Sequence, residues 1–216
     1  MSGAWPWIAV AALGAYHGID PSMGWLFAVA LGLQERSRAK VLSALIPIAI
    51  GHLVSIAVIV AAISLLQSSF PFAIVRPVGA GALIIFGLFR FFWPRAHPRW
   101  VAMRVNFGDL ALWSFLMASA HGAGLMLFPI LLGMNAPAGA PMHHHGMPML
   151  GLQAHPVLTA AAVVILHTGA MLIVMGTIAV VVYEKIGLKI LRSAWINLDT
   201  VWAGALVAAG ILCLVI

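Results

Sequence analysis

The sequence predicts an all-α integral membrane protein of six transmembrane helices, arranged as two inverted three-helix repeats. Composition, hydrophobic run length and an internal match carry this expectation. The 216 residues are 63% hydrophobic and 7% charged, with a mean hydropathy of +1.09. A soluble domain is about 45–50% apolar and about 25% charged. So few charges cannot keep a whole surface wet. The same numbers exclude a disordered chain and a coiled coil. Cys213 is the single cysteine, which excludes a disulfide-stapled secreted domain.

Six apolar runs are long enough to span a bilayer. The first, Trp7–Leu33, has no basic residue before it and so lacks the n-region of a signal peptide; a retained helix is expected. It is followed by Val41–Leu66, Phe72–Phe92, Leu110–Leu132, Val157–Val182 and Leu198–Ile216. Of the 11 Lys and Arg residues, all but Arg76 fall in three loops. Arg36, Arg38 and Lys40 follow the first span. Arg90, Arg95, Arg99 and Arg104 follow the third, and Lys185, Lys189 and Arg192 the fifth. The positive-inside rule makes these loops cytoplasmic and puts both termini outside, as expected of a multi-pass bacterial inner-membrane protein. Trp5 and Trp7 suit the outer interface, and Trp93, Trp100, Trp113 and Trp195 the inner one. The net charge of +6 is therefore a topology signal favouring anionic lipid head groups, not a nucleic-acid footprint.

The third and sixth spans align at an offset of 123 residues. Val78, Ala80, Gly81, Ala82, Leu83 and Gly87 then match Val201, Ala203, Gly204, Ala205, Leu206 and Gly210. His17-Gly18 in the first span answers His121-Gly122 in the fourth, and His52 in the second answers His167 in the fifth. Residues 1–109 form the first repeat with its basic loop. Residues 110–216 form the second, with an external His/Met-rich loop over 134–156. Three spans per repeat is an odd number, so the copies are inverted, and transporters built this way hold their site where the repeats meet.

His17, Asp20, His52, His121 and His167 lie within about 4–6 Å of their span midpoints at the helical rise per residue. Ionisable groups at that depth usually face a bundle interior and mark a site or pathway. His17 and Asp20, three apart, share a helix face. Pro21 disrupts the preceding turn and frees carbonyls to line a cavity; Gly122 and Gly124 can loosen the fourth helix beside His121. Imidazoles with one carboxylate suit Ni²⁺, Co²⁺ or Zn²⁺, with copper a further candidate. A bound divalent ion opposite ionised Asp20 leaves net +1 and a histidine available for proton exchange. The plain alternative is that each histidine hydrogen-bonds a neighbouring helix. Ser55, Ser119 and Thr168 are expected to bond a carbonyl or a neighbouring helix. Asp109 and Asp199 should cap a helix start or balance the basic loops, and Met171 and Met175 should serve apolar packing.

The loop carries Met142, His143, His144, His145, Gly146, Met147, Pro148 and Met149, flanked by Met134 and His155. Such a tract collects metal, with thioethers adding affinity for Cu(I), or is a solvated Pro/Gly linker.

The His-Gly-Ile-Asp-Pro run from His17 to Pro21, Gly51-His52, the His-rich loop and the three-plus-three layout resemble nickel/cobalt transporters of the NicO type. More broadly they resemble the lysine-exporter superfamily. The specific motifs cover roughly residues 14–60. Pro21 stands where the nickel permease signature carries a second histidine. The resemblance implies transport of Ni²⁺ or Co²⁺ with His17, Asp20 and His52 as ligands. Transport of a divalent transition-metal ion is thus the expected function. Two other readings stay open: a haem-binding membrane electron carrier and an intramembrane metal-dependent enzyme. The sequence also leaves an oligomer open.

Overall fold

The fold was analysed in a computed structural model that describes residues 4–92, 106–134, 156–186 and 198–215. The described residues are helical almost throughout, and no strand occurs among them. α1 (Trp5–Ile19) stops because Asp20 precedes Pro21, whose ring excludes the helical conformation from the residue before it. Asp20 is extended, at φ −66° and ψ 120°. A 3₁₀ turn follows at Pro21–Met23. Gly24 then takes φ +121°, where a side chain would strain the backbone, and opens α2 (Trp25–Glu35). The Ser37 hydroxyl accepts from the Lys40 amide at 3.3 Å and starts α3 (Arg38–Ser69). α4 covers Phe72–Phe92.

α5 (Phe107–His121) begins with a reciprocal cap. The Asp109 amide donates to Asn106 Oδ1 at 2.9 Å, and the Asn106 amide donates to Asp109 Oδ2 at 3.1 Å. This is the capping role expected of Asp109. At the other end Gly122 is left-handed, φ +68°, and α5 stops on His121. A 3₁₀ turn at Leu125–Leu127 leads into α6 (Phe128–Met134). α7 (Pro156–Val181) closes in a π turn over Val182–Ile186, and α8 covers Leu198–Val215.

Among the described residues three helices are long and apolar enough to cross a membrane: Arg38–Ser69, Phe72–Phe92 and Val157–Lys185. A fourth is added if Phe107–His121 and Leu125–Leu132, bent by 48°, count as one span. The first and fourth expected spans are thus each interrupted near the middle, by the residue before a proline and by a left-handed glycine. Arg90, expected in a loop, lies buried in the last turn of α4, where a cation meets the negative end of the helix.

Contacts give the helix directions. Gly14 and Gly18 of α1 lie against His167 and Met171 of α7, so these helices run parallel. Ser114 and Ser119 of α5 bond Ile48 and Ser55 of α3, again in parallel. Gly87 lies against the Ala203 carbonyl and Gly210 against the Ala80 carbonyl, so α4 and α8 run antiparallel. Arg76 donates to the carbonyls of Cys213 (2.6 Å) and Leu214 (2.8 Å), tying off the end of α8. At another end of the molecule Arg38 pairs with Glu184 (3.2 Å) and Lys40 with Glu35 (2.9 Å).

The buried apolar residues form two clusters, and His17, His52 and His167 lie between them. Val10, Ile56 and Val164 belong to one cluster; Met23, Ile48 and Met171 belong to the other. Along α3, for example, His52 stands between Ile48 and Ile56. Met171 and Met175 are fully buried in the second cluster, the packing role expected of them.

A Cβ on Gly14 would overlap the His167 carbonyl, whereas one on Gly81 would meet nothing within 4 Å. Alanine favours a helix interior over glycine by about 1 kcal/mol, and crowding a packed backbone contact costs about 1–3 kcal/mol. Gly14→Ala should therefore lower the melting temperature in detergent while Gly81→Ala leaves it unchanged or raises it. Equal melting of the two variants would contradict this packing.

Candidate functional site

Three helices deliver one imidazole each to the layer between the clusters: His17 from α1, His52 from α3 and His167 from α7. All three are 0% exposed. Their ring centroids lie 5.6 Å apart for His17–His52, 4.9 Å for His17–His167 and 5.7 Å for His52–His167. His17 meets both partners edge-on, at 68°, and the other two rings are parallel to within 1°. The approach depends on missing side chains. Gly14 brings the α1 backbone onto the His167 carbonyl, and Gly51, beside His52, brings α3 onto the Ala111 carbonyl of α5.

Asp20 and His121 occupy the two helix breaks. Both are buried. The Asp20 carboxylate accepts from the Ser22 amide at 2.8 Å and the Ser22 hydroxyl at 2.7 Å, both on Oδ1. The Ser22 hydroxyl also lies 3.3 Å from His121 Nε2, and Asp20 Oδ2 lies 4.0 Å from that nitrogen. The 3₁₀ turn after α1 therefore meets the end of α5. His121 is also within electrostatic range of His17 and His52. All five residues expected near the span midpoints thus belong to one buried polar region.

Backbone carbonyls orient two of the rings. His17 Nδ1 lies 2.8 Å from the Leu13 carbonyl and His121 Nδ1 lies 2.8 Å from the Met117 carbonyl, each one turn back on its own helix. A carbonyl only accepts, so in both rings Nδ1 carries the hydrogen. When neutral, each ring then presents its Nε2 lone pair, as a ligating or proton-accepting imidazole must. Both ring nitrogens of His52 are buried with no hydrogen-bond partner among the described residues. Leaving such a group dry and unpaired costs about 1–3 kcal/mol. The Val10 carbonyl lies toward the His167 ring without reaching hydrogen-bond geometry.

Of the three hydroxyls expected to bond a carbonyl or a neighbouring helix, Ser55 and Ser119 do so and Thr168 does not among the described residues. Ser55 and Ser119 bond each other at 2.9 Å, and Ser119 donates to the Phe115 carbonyl at 2.8 Å. The Thr168 hydroxyl is buried without a partner among the described residues. Sequence reasoning missed Ser22 and Ser114, the latter donating to the Ile48 carbonyl at 2.7 Å. Ser22 had a readable signal, because an aspartate before proline commonly accepts from the residue two positions on.

The arrangement offers imidazole nitrogens from three helices beside one buried carboxylate. Among the described residues no three His, Cys, Asp or Glu side chains form a ready-made metal cage. The triad rings meet by edge and by parallel faces. Met142, His143, His144, His145 and Met147 lie outside the described residues. An open apolar groove between α1 and α7, lined by Ile8, Ala11, Ala12, Ala15, Ala170, Ile173 and Val174, includes none of the site residues. No family model matches the chain, and neither a curated protein nor a solved structure matches it.

The carbonyl contacts predict the tautomers. At neutral pH, ¹⁵N spectra of the histidine-labelled protein in detergent should show His17 and His121 protonated at Nδ1. Neutral rings protonated at Nε2 would contradict the arrangement.

Proposed function

We propose that this protein is a multi-pass membrane transporter for a divalent transition-metal ion of the Ni²⁺, Co²⁺ or Zn²⁺ class, with its site at His17, Asp20, His52, His121 and His167. The observation that carries the reading is the buried triad: three mutually contacting imidazoles from three helices, two of them, His52 and His167, with both nitrogens unpaired among the described residues. Buried polar groups are nearly always partnered, so an orphan of this kind points to a ligand. Imidazole nitrogens favour late first-row ions over Mg²⁺ or Ca²⁺, which take oxygen. Rings that meet by edge and face must turn to converge on an ion. That suits a substrate in passage better than a resident structural metal.

On this reading the chain makes six crossings with both termini outside, as two inverted repeats. The α4–α8 contact supports the duplication. Gly87 lies on the Ala203 carbonyl and the Val207 amide; Gly210 lies on the Ala80 carbonyl and the Ile84 amide. At the offset of 123, Gly87 corresponds to Gly210, Ala80 to Ala203 and Ile84 to Val207, so each contact has its exchanged counterpart. His17 and His121, equivalent in the same scheme, each bond the carbonyl four residues earlier. The parallel pairs α1–α7 and α3–α5 also exchange under it. The resemblance to nickel/cobalt transporters agrees with this reading. The loop over 134–156 is the candidate collector of metal on the outer side, and anionic lipids the partner of the basic cytoplasmic loops.

Cells expressing the protein should differ from cells lacking it in accumulated Ni²⁺ or Co²⁺, measured as whole-cell metal during a short exposure. His17→Ala, His52→Ala and His167→Ala should each reduce that difference by about tenfold or more, the usual scale for removing a group from a metal site. Unchanged transport by His17→Ala and His52→Ala, at equal amounts of membrane protein, would reject the site.

A further inference from the structure

The helix breaks carry a feature beyond the triad. α1 stops at Ile19 with Asp20 as its cap, α5 stops at His121, and the turn at Pro21–Met23 packs against α5. The C-terminal ends of two helices, each with a partial negative charge, therefore meet inside the protein. The hydrogens between them can be assigned. His121 Nδ1 donates to the Met117 carbonyl at 2.8 Å. The Ser22 hydroxyl gives its one hydrogen to Asp20 Oδ1 at 2.7 Å. The Ser22 oxygen also contacts His121 Nε2 at 3.3 Å, and Asp20 Oδ2 lies 4.0 Å from the same nitrogen.

Imidazole nitrogen, hydroxyl oxygen and carboxylate oxygen face one another at the negative ends of two helices. Broken transporter helices use their C-terminal ends in the same way to hold cations. Metal bonds of about 2.0–2.2 Å place tetrahedral ligands about 3.4 Å apart. The observed separations of 3.3 and 4.0 Å bracket that span.

We propose that Asp20, Ser22 and His121 form a cation station of their own beside the imidazole triad, binding a divalent transition-metal ion through mixed oxygen and nitrogen donors. The proposal rests on the transport reading above and divides its site in two. The station carries the buried carboxylate and attracts the ion by charge; the triad offers only imidazole nitrogens and selects it by donor softness. Two neighbouring sites of moderate strength let an ion enter and leave where one deep site would trap it. Ser22 is the new member. It fixes Oδ1 with two hydrogen bonds, leaves Oδ2 toward His121, and joins the first helix break to the second.

The test uses the full-length protein in detergent, with Co²⁺ followed by equilibrium dialysis and visible absorption. The wild type should bind in two distinguishable events. Asp20→Asn and Ser22→Ala should weaken one by about tenfold and leave the other, which His52→Gln removes. Ser22→Thr, which keeps the hydroxyl, should restore the weakened event. Gel-filtration profile and melting temperature establish that each variant is folded. Ser22→Ala binding Co²⁺ as the wild type does would overturn the station. So would a single event lost alike in Asp20→Asn and His52→Gln, with the transport reading left standing. Absence of Co²⁺ binding by the wild type would overturn both.

Discussion

Everything in the middle of this bundle depends on how it handles interrupted helices among apolar side chains. A helix that stops in such surroundings exposes carbonyls and amides with no water to satisfy them, at a cost of several kcal/mol for each group left dry. The protein stops two there. At the first break the Asp20 amide bonds the His17 carbonyl, the Trp25 indole donates to the Ile19 carbonyl at 3.1 Å, and Asp20 caps the following turn through Ser22. At the second the Gly122 amide bonds the Ser119 carbonyl and the Ala123 amide the Ala118 carbonyl. These local repairs allow chain ends, a carboxylate and a histidine to share a buried space that continuous helices would fill.

The layout around those breaks was legible in the sequence to the extent that it follows from single residues. Pro21 announced the end of α1, because the restriction on the residue before a proline is local and steric. Asp109 was readable as a cap for the same kind of reason. The boundaries of α4 coincide with the expected run, Phe72–Phe92. Legibility ended where three-dimensional partners decide the outcome. The spacing of His17, His52 and His167 gave a common depth. It did not give their contact, which requires the α1 and α7 backbones to approach at Gly14. Which glycine marks a close contact is not a local property: Gly14 is pressed against a carbonyl and Gly81 is open. Ser22 was overlooked because its importance comes from His121, ninety-nine positions away.

Two kinds of polar order coexist in the site. Asp20 sits in a short-range web made by its own neighbours in sequence, so its orientation is set as soon as the turn forms. The triad instead exists only when three helices are packed, and its rings take their positions from the apolar clusters on either side. The Asp20–Ser22 bonds span two positions of the chain, whereas the triad draws on three separate helices. The local turn and the assembled triad therefore respond differently to the same loss of stability, although they lie side by side.

The tethers on the histidine rings bear on motion. His17 and His121 are each leashed to their own helix by one hydrogen bond, while no nitrogen of His52 or His167 is held among the described residues. A leash of this kind contributes about 1 kcal/mol, equivalent to about a fivefold bias between two ring orientations. That is enough to give His17 and His121 a resting posture and too little to hold them there for long. His52 and His167 have no such bias. The polar layer is therefore mechanically uneven, two sprung rings beside two loosely pivoted ones, and reorientation within it should begin on α3 and α7.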